Sequence, residues 1–264
     1  MNSHARPRKR FGQHFLHDPG VVRRILSGFA ARPDDLVAEI GPGPGVLTRE
    51  LAGQVRELHA VEIDRDLAAE RIAEFADVPS VTVHMADALE FDFCALAPAP
   101  RSLRLIGNLP YNISTPLLFH LLRGAACIRD MVFMLQKEVV DRMVAGPGSR
   151  DYGRLSVMVQ WRCRVERLFT VGPGAFKPPP RVDSAVVHLW PYETSPVHVE
   201  QPDRFADIVR EAFGHRRKTL RNALQDLVPE EVIAGLGIDT NRRPETLSVA
   251  EFAAIANATG NPSG

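Results

Sequence analysis

Cysteine is scarce: Cys94, Cys127 and Cys163 are the only three in 264 residues. They fit no Cys-x-x-Cys spacing and are too few for a disulfide framework, so a reducing cytosol is the expected compartment. No apolar run approaches the ~18 residues of a membrane span. The basic N-terminus MNSHARPRKRFGQHFL has no hydrophobic stretch behind it, which excludes a secretory signal. Neither sign of charge dominates, since 32 Lys+Arg balance 32 Asp+Glu. A nucleic-acid partner must therefore be argued from where the charges sit. The nine histidines form no His-Glu-x-x-His and no cluster with cysteine at zinc spacing, so no metal is expected. Internal repeats and low-complexity tracts are also missing. What is there is an ordinary folded composition: 45% hydrophobic and 24% charged residues exclude whole-chain disorder, collagen-like repeats and coiled coil. The length suits one large or two small domains.

From residue 36 to 136 short apolar runs alternate with helical patterns: LVAEIG (36 to 41), LHAVEID (58 to 64), VTVHMAD (81 to 87), LRLIGNL (103 to 109) and DMVFMLQ (130 to 136). Strand and helix alternating at this interval predict right-handed crossovers and a parallel α/β sheet with helices on both faces. Two further β-rich runs, RVERLFTV (164 to 171) and SAVVHLWP (184 to 191), flank the proline-dense GPGAFKPPPRVD and read as an antiparallel addition at the sheet edge. After Pro191 the polar, proline-punctuated YETSPVHVEQP reads as a linker, and the chain beyond Asp203 carries only helical patterns. The expected division is 1 to 194 for the sheet domain and 195 to 264 for a small all-α domain, with the tail GNPSG frayed.

The first strand ends in Glu39-Ile40-Gly41-Pro42-Gly43-Pro44-Gly45 and runs into the helical VLTRELAG. Glycines there let backbone amides approach a ligand at a helix N-terminus, at the sheet edge where open α/β folds bind nucleotides. Val46 stands where the third glycine of a dinucleotide motif belongs, which disfavours a pyrophosphate cradle and a nicotinamide dehydrogenase. Glu62 closes the second strand, where a carboxylate accepts both hydroxyl protons of a ribose diol. Asp87 closes the third, placed to accept from an adenine amino group. Asp64 and Asp66 read as the solvated start of a helix. The fourth strand ends in Asn108-Leu109-Pro110-Tyr111, then Asn112-Ile113-Ser114-Thr115-Pro116, with Ser114 or Thr115 expected to cap the next helix. An amide, a proline and an aromatic ring thus share the sheet edge, with no His or Cys nucleophile and no acid-base dyad.

Asn-Leu-Pro-Tyr after a strand resembles the signature of S-adenosylmethionine-dependent methyltransferases that act on the exocyclic amine of adenine. The resemblance spreads over nearly the whole chain. Arg10-Phe11-Gly12-Gln13-His14-Phe15-Leu16, Glu39 to Gly43, Asn108 to Thr115 and Phe176-x-Pro-x-Pro-x-Val-x-Ser184 together look like the ribosomal RNA adenine dimethyltransferases. That family implies a Rossmann-like methyltransferase sheet, S-adenosylmethionine as cofactor, and dimethylation of two adjacent adenosines in the 3'-terminal hairpin loop of 16S rRNA in the small ribosomal subunit. Carried over position by position, it assigns cofactor contacts to His14, Leu16, Gly41, Glu62, Asp87 and Asn108. Asn108 and Leu109 become the acceptors of the amine protons, and Tyr111 and Phe176 the stacking partners of the base. The family usually has Asn where this chain has His14; an imidazole still donates a hydrogen bond, so cofactor binding is expected to survive. The resemblance further implies a cytoplasmic enzyme acting as a monomer.

The charges are not spread evenly. Residues 6 to 24 hold Arg6, Arg8, Lys9, Arg10, Arg23 and Arg24 against only Asp18, and the C-terminal part holds Arg210, Arg216, Arg217, Lys218 and Arg221. Arg210, Arg217 and Arg221 recur at helical spacing and are expected to share a face. Both clusters suit phosphates, and the N-terminal one is expected to be mobile without RNA. An adenine inside a duplex cannot reach a recessed pocket, so the target must be unstacked or in a loop. Two other readings stay open: an adenine methyltransferase on 23S rRNA or DNA, and a ribosome-assembly factor that acts mainly by binding.

Overall fold

The computed structural model describes residues 13 to 214 and 218 to 259. The chain separates into two compact units: one takes in the chain up to Val140 with Val165–Pro191, the other Asp141–Arg164 with the chain from Tyr192 onward. The division expected at 194/195 therefore misses residues 141 to 164, which pack with the helical unit.

The first unit is built on a seven-stranded sheet. Its strands are β2 (Leu36–Ile40), β3 (Glu57–Glu62), β4 (Val81–Met85), β5 (Leu103–Asn108), β6 (Ile128–Gln136), β7 (Cys163–Val171) and β9 (Ser184–Pro191), in the order β4-β3-β2-β5-β6-β9-β7. β4, β3, β2, β5 and β6 run parallel, joined through α2 (Val46–Leu51), α3 (Arg65–Glu74) and α4 (Ser114–Arg123). β9 returns antiparallel to β6, and β7 forms the edge beside it. All five residues of β2 are buried, as a central strand covered on both faces requires. From β2 the chain steps to β3 on one side and later to β5 on the other, so the switch point of the sheet lies at the carboxyl ends of β2 and β5. Gly107 permits that approach, since a Cβ there would stand 2.5 Å from the Ile40 carbonyl oxygen. A two-residue strand β1 (Phe15–Leu16) pairs antiparallel with β8 (Phe176–Lys177), and α1 (Pro19–Phe29) follows under an Asp18 cap.

The opposite end of the sheet is pinned by buried charge. Arg104 on β5 reaches Asp130 on β6 at 2.7 Å and Asp35 at 2.6 Å, and His188 Nε2 on β9 lies 2.7 Å from Asp130. Burial would raise the Asp130 carboxyl, but hydrogen bonds from Arg104 and His188 outweigh it and hold it at about 2. Cys94 and Cys127 form a disulfide, with Cα atoms 5.6 Å apart across 33 residues of sequence. Three cysteines make no disulfide framework, but this one pair meets because the segments leading into neighbouring β5 and β6 lie together in space, a closeness that spacing along the chain does not record. Both sulfurs lie close to the Gly124 carbonyl, at 3.3 and 3.0 Å, so the reduced thiols would keep an acceptor. Cys163 is free and buried, and burial pushes its thiol up to about 12.

The second unit is helical. It contains most of α5 (Lys137–Val144), with α6 (Arg154–Arg162), α7 (Pro202–Gly214), α8 (Leu220–Leu224), α9 (Glu230–Gly235) and α10 (Val249–Thr259). Trp161, Phe205, Leu220, Ile255 and Phe252 lie at its core. α7 ends at Gly214 and α8 begins at Leu220, so Arg210 and Arg221 do not share one continuous helix face as their spacing suggests. Arg217 and Arg216 lie outside the described residues, as do Arg6, Arg8, Lys9, Arg10 and the tail. No helix among the described residues is long and apolar enough to cross a membrane.

Candidate active site

The Gly41 to Gly45 turn leaves β2 with φ of +68° at Gly41, +55° at Gly43 and +83° at Gly45, values only glycine adopts freely. It opens onto a cavity lined by Gly41, Glu62, Asp87, Asn108 and Tyr111 together with His14 and Leu16. Glu62 is 4% exposed; the amides of Gly43 and Asp64 donate to its two carboxylate oxygens at 3.0 and 2.9 Å. Burial raises its carboxyl against those two bonds. Asp87 accepts from the Leu89 amide through Oδ1 at 2.9 Å, and its second oxygen has no hydrogen-bond partner among the described residues. Arg71, buried beneath the turn, donates to the Gly43 carbonyl at 3.2 Å and fixes the loop from α3. These features fit a nucleoside-bearing cofactor: close backbone, a fixed carboxylate at the second strand end and an unsatisfied one at the third.

Asn108 closes β5 at the rim of this cavity. Its Nδ2 donates to the backbone carbonyl of His14 at 2.9 Å. A carbonyl can pair only with the NH2 end of the amide, so the orientation is set and Oδ1 has no donor among the described residues. His14 thus serves Asn108 through its main chain, a contact that does not depend on the side chain; its Nδ1 lies 2.9 Å from the Pro178 carbonyl. The Leu109 amide donates to Met134 at 3.1 Å and its side chain is fully buried, anchoring the loop to β6. Tyr111 is half-buried, its ring 5.4 Å from that of His14 and its hydroxyl 2.6 Å from Ser184 Oγ. Burial raises its phenol, so the ring stays neutral. Neither Ser114 nor Thr115 caps α4: Ser114 is its first residue and its hydroxyl donates to the Pro110 carbonyl at 2.9 Å.

One expected site residue is not brought to the cavity. Phe176 is 2% exposed, opposite Leu16 in the β1–β8 pair and packed in the core of the unit, so it presents no face to an incoming base. Three residues that matter were not singled out from the sequence. Glu39 lies on the cavity floor, 1% exposed, with the Thr48 hydroxyl donating to it at 2.6 Å; burial, aided by the Glu62 charge, lifts it to about 7. Its apolar strand neighbours and a carboxylate just before the glycines were the available signal. Ile63, 43% exposed beside Glu62, offers an apolar wall, and Ser184 holds Tyr111. Asp64, read as solvated, is a buried cap whose side chain accepts from the Asp66 amide. Among the described basic residues, Arg210 pairs with Asp207 at 2.7 Å, Arg221 faces Glu230 at 3.8 Å, and Arg24 stacks on Phe169.

A mostly parallel sheet with a cleft at its switch point and an oriented amide at the strand end is the architecture of a Rossmann-like methyltransferase. The sequence profile of the family described as ribosomal RNA adenine dimethylase matches residues 4–260, and the chain belongs to that family. It is 57% identical over 252 residues to ribosomal RNA small subunit methyltransferase A of Pseudomonas syringae pv. syringae, covering 96% of this chain and 94% of the relative. The protein of the same description from Pseudomonas aeruginosa is 52% identical, with 96% and 94% covered. Among solved structures, a dimethyladenosine transferase from Plasmodium falciparum superposes with a TM-score of 0.79 at 27% identity, covering 94% of this chain and 98% of that one. The 23S rRNA methyltransferase ErmE gives 0.71 at 26%, covering 94% and 100%.

Proposed function

We propose that this chain transfers methyl groups from S-adenosylmethionine to the exocyclic amines of two adjacent adenosines in the 3'-terminal hairpin loop of 16S rRNA, twice per base, and so contributes to small-subunit biogenesis. The observation that carries the reading is Asn108: it lines the same cavity as Glu62 and Asp87, and its amide nitrogen is tied to the His14 carbonyl, which leaves the amide oxygen as the end able to accept. Glu62 would accept from the ribose hydroxyls of the cofactor, Asp87 from its adenine amine, and Gly41, Leu16 and Ile63 would pack against it. When bound, that cofactor supplies a methyl group on a sulfonium, whose loss leaves a neutral thioether. The adenine amine is a poor nucleophile because its lone pair is delocalised into the ring. Asn108 Oδ1 and the Leu109 carbonyl, accepting its two N–H bonds, favour the pyramidal nitrogen whose lone pair points at the methyl carbon. Neither is a strong base, so the proton leaves to water once the nitrogen is alkylated. Tyr111 would stack on the target base and hold it at reacting distance.

The enzyme is taken to act as a monomer in the cytoplasm, with the basic segments around residues 6 to 24 and 210 to 221 on RNA phosphates. The test is incubation with isotopically labelled S-adenosylmethionine and small subunits lacking the modification, followed by nucleoside analysis, with large subunits in parallel. Labelled dimethyladenosine at adjacent positions of 16S rRNA is expected, and Asn108→Ala should slow it roughly 100-fold. Label in 23S rRNA would redirect the reading to the large subunit. No label anywhere, with Asn108→Ala still supporting subunit maturation, would replace it with a binding role.

A further inference from the structure

The segment that follows Asp87 is held to α4 and the turn after it by side-chain contacts and by one covalent bond. Asp87 lines the cofactor cavity, and its backbone carbonyl accepts from the Glu90 and Phe91 amides at 3.0 and 2.9 Å, which winds the chain into a tight turn. His120 Nε2 on α4 donates to the Phe91 carbonyl at 3.0 Å. The Phe93 ring, 4% exposed, stands edge-on to the same imidazole with centroids 6.4 Å apart. The covalent link is the Cys94–Cys127 disulfide. Asn112 and Ile113 line the cavity just before α4 begins, and Cys127 lies past its far end. The bond therefore ties the chain carrying Asp87 to the helix that grows out of the Asn108 loop.

The surroundings of the two sulfurs suit both oxidation states. The Gly124 carbonyl lies 3.3 Å from Cys94 Sγ and 3.0 Å from Cys127 Sγ, so it can accept from either thiol, and a Cβ at Gly124 would stand 3.0 Å from Cys94 Sγ. Cys94 is part-exposed in the short turn Phe93–Leu96, whereas Cys127 is 9% exposed, so a reagent from solvent meets Cys94 first. Cys163 is buried with its thiol pushed up to about 12, which keeps it out of exchange. In the reducing compartment taken above, a disulfide is as a rule transient and redox-responsive.

We propose that Cys94 and Cys127 form a reversible thiol–disulfide site for low-molecular-weight disulfides such as oxidised glutathione, and that closing it tethers the Asp87 segment to α4 and tightens cofactor binding. The Cys94 thiolate attacks one sulfur of the small disulfide and releases the other half as a thiolate. The Cys127 thiolate then attacks Cys94 Sγ in the mixed disulfide and releases the second half. One S–S bond breaks and one forms; the small disulfide gains the two electrons the cysteines lose, and its two released thiols take up their protons. A fixed loop costs less to order on binding, which is the source of the gain in affinity. The cofactor part rests on the function proposed above; the thiol chemistry does not.

The test equilibrates the full chain in glutathione buffers running from fully reduced to fully oxidised, then counts thiols by alkylation of the denatured protein and intact mass. Wild type should pass from three thiols to one across the series. Cys127→Ser, which halts the exchange after its first step, should carry one glutathione on Cys94. Amide exchange over residues 87 to 94 and calorimetric affinity for S-adenosylhomocysteine are compared between the two forms. Oxidation should slow that exchange and tighten binding about three- to fivefold, while Cys94→Ser matches reduced wild type in either buffer. A disulfide that survives fully reduced glutathione is a structural bond, and thiols that persist in fully oxidised glutathione make no site; either result overturns the proposal. Exchange and affinity equal in the two forms would overturn the tether. If S-adenosylhomocysteine binds neither form while the thiols and amide exchange respond as expected, the proposed reaction falls and the redox site stands.

Discussion

The contact between Tyr111 and Ser184 joins the ring proposed to stack on the base to β9, a strand that enters the sheet from far along the chain. Ser184 is fully buried and Tyr111 only half, so the two sides of the 2.6 Å hydrogen bond are unequal. Tyr111→Phe leaves the serine hydroxyl buried without a partner, at a cost of about 1 to 3 kcal/mol. Ser184→Ala leaves a phenol that can turn toward water, at about 1 kcal/mol, but frees the ring to wander. Replacing both removes the orphan as well as the bond. Urea unfolding should therefore show the double variant more stable than Tyr111→Phe alone. Its methylation rate should fall about fivefold, the same as in Ser184→Ala alone, because one tether is lost in both and coupled partners do not add. Additive losses in both measurements would mean that the serine acts on something other than this ring. Asn108 shows how much a residue letter withholds: its type and place at a strand end are readable, but the group that orients it is the main-chain carbonyl of His14, which any residue supplies.

Among the elements, the strands were legible because each is a short β-rich run bounded by turn residues, and the buried parallel ones are continuous where sheet burial demands it. β1 and β8, two residues each, have no period to read and exist only because distant segments pair. Phe176 was misplaced for the same reason: its motif marks it, while pairing with Leu16 turns it into the core. Arg104 and Asp130, charged residues at the starts of two β-rich runs, clamp β5, β6 and β9 at the end of the sheet away from the cavity. The Asp130 carboxyl is held at about 2, below its ordinary 3.8, so its contribution to stability is complete above 3.8 and is lost as pH falls through about 2. Asp130→Asn leaves the buried Arg104 guanidinium with Asp35 as its one remaining carboxylate partner and should lower stability by about 3 kcal/mol at pH 7. The gap to wild type should close as denaturation is followed from pH 4 toward pH 2. A gap independent of pH over that range would show that the charge of Asp130 is not what matters.

At the scale of the whole molecule, the helical unit is built from two separated stretches, and the earlier one supplies part of its centre. Val157 is fully buried there, Trp161 is 5% exposed with its ring centroid 4.8 Å from that of Phe205, and Tyr152 joins the same cluster. The sequence hid this because a linker-like composition after Pro191 marks one boundary, whereas nothing in residues 141 to 164 announces that their apolar face serves a later segment. A fragment of residues 192 to 264 would expose Phe205 and the aromatic surface Trp161 covers, in a chain already small for an independent core. It should show helical circular dichroism but a broad urea transition without a cooperative midpoint. Adding residues 141 to 164 through a short glycine linker should restore a sigmoidal transition, because the Tyr192 amide donates to the Arg162 carbonyl at 2.9 Å and the two ends already lie side by side. If residues 192 to 264 alone unfold as sharply as the joined fragment, the inserted stretch is dispensable to this core and the boundary read from composition is the physical one.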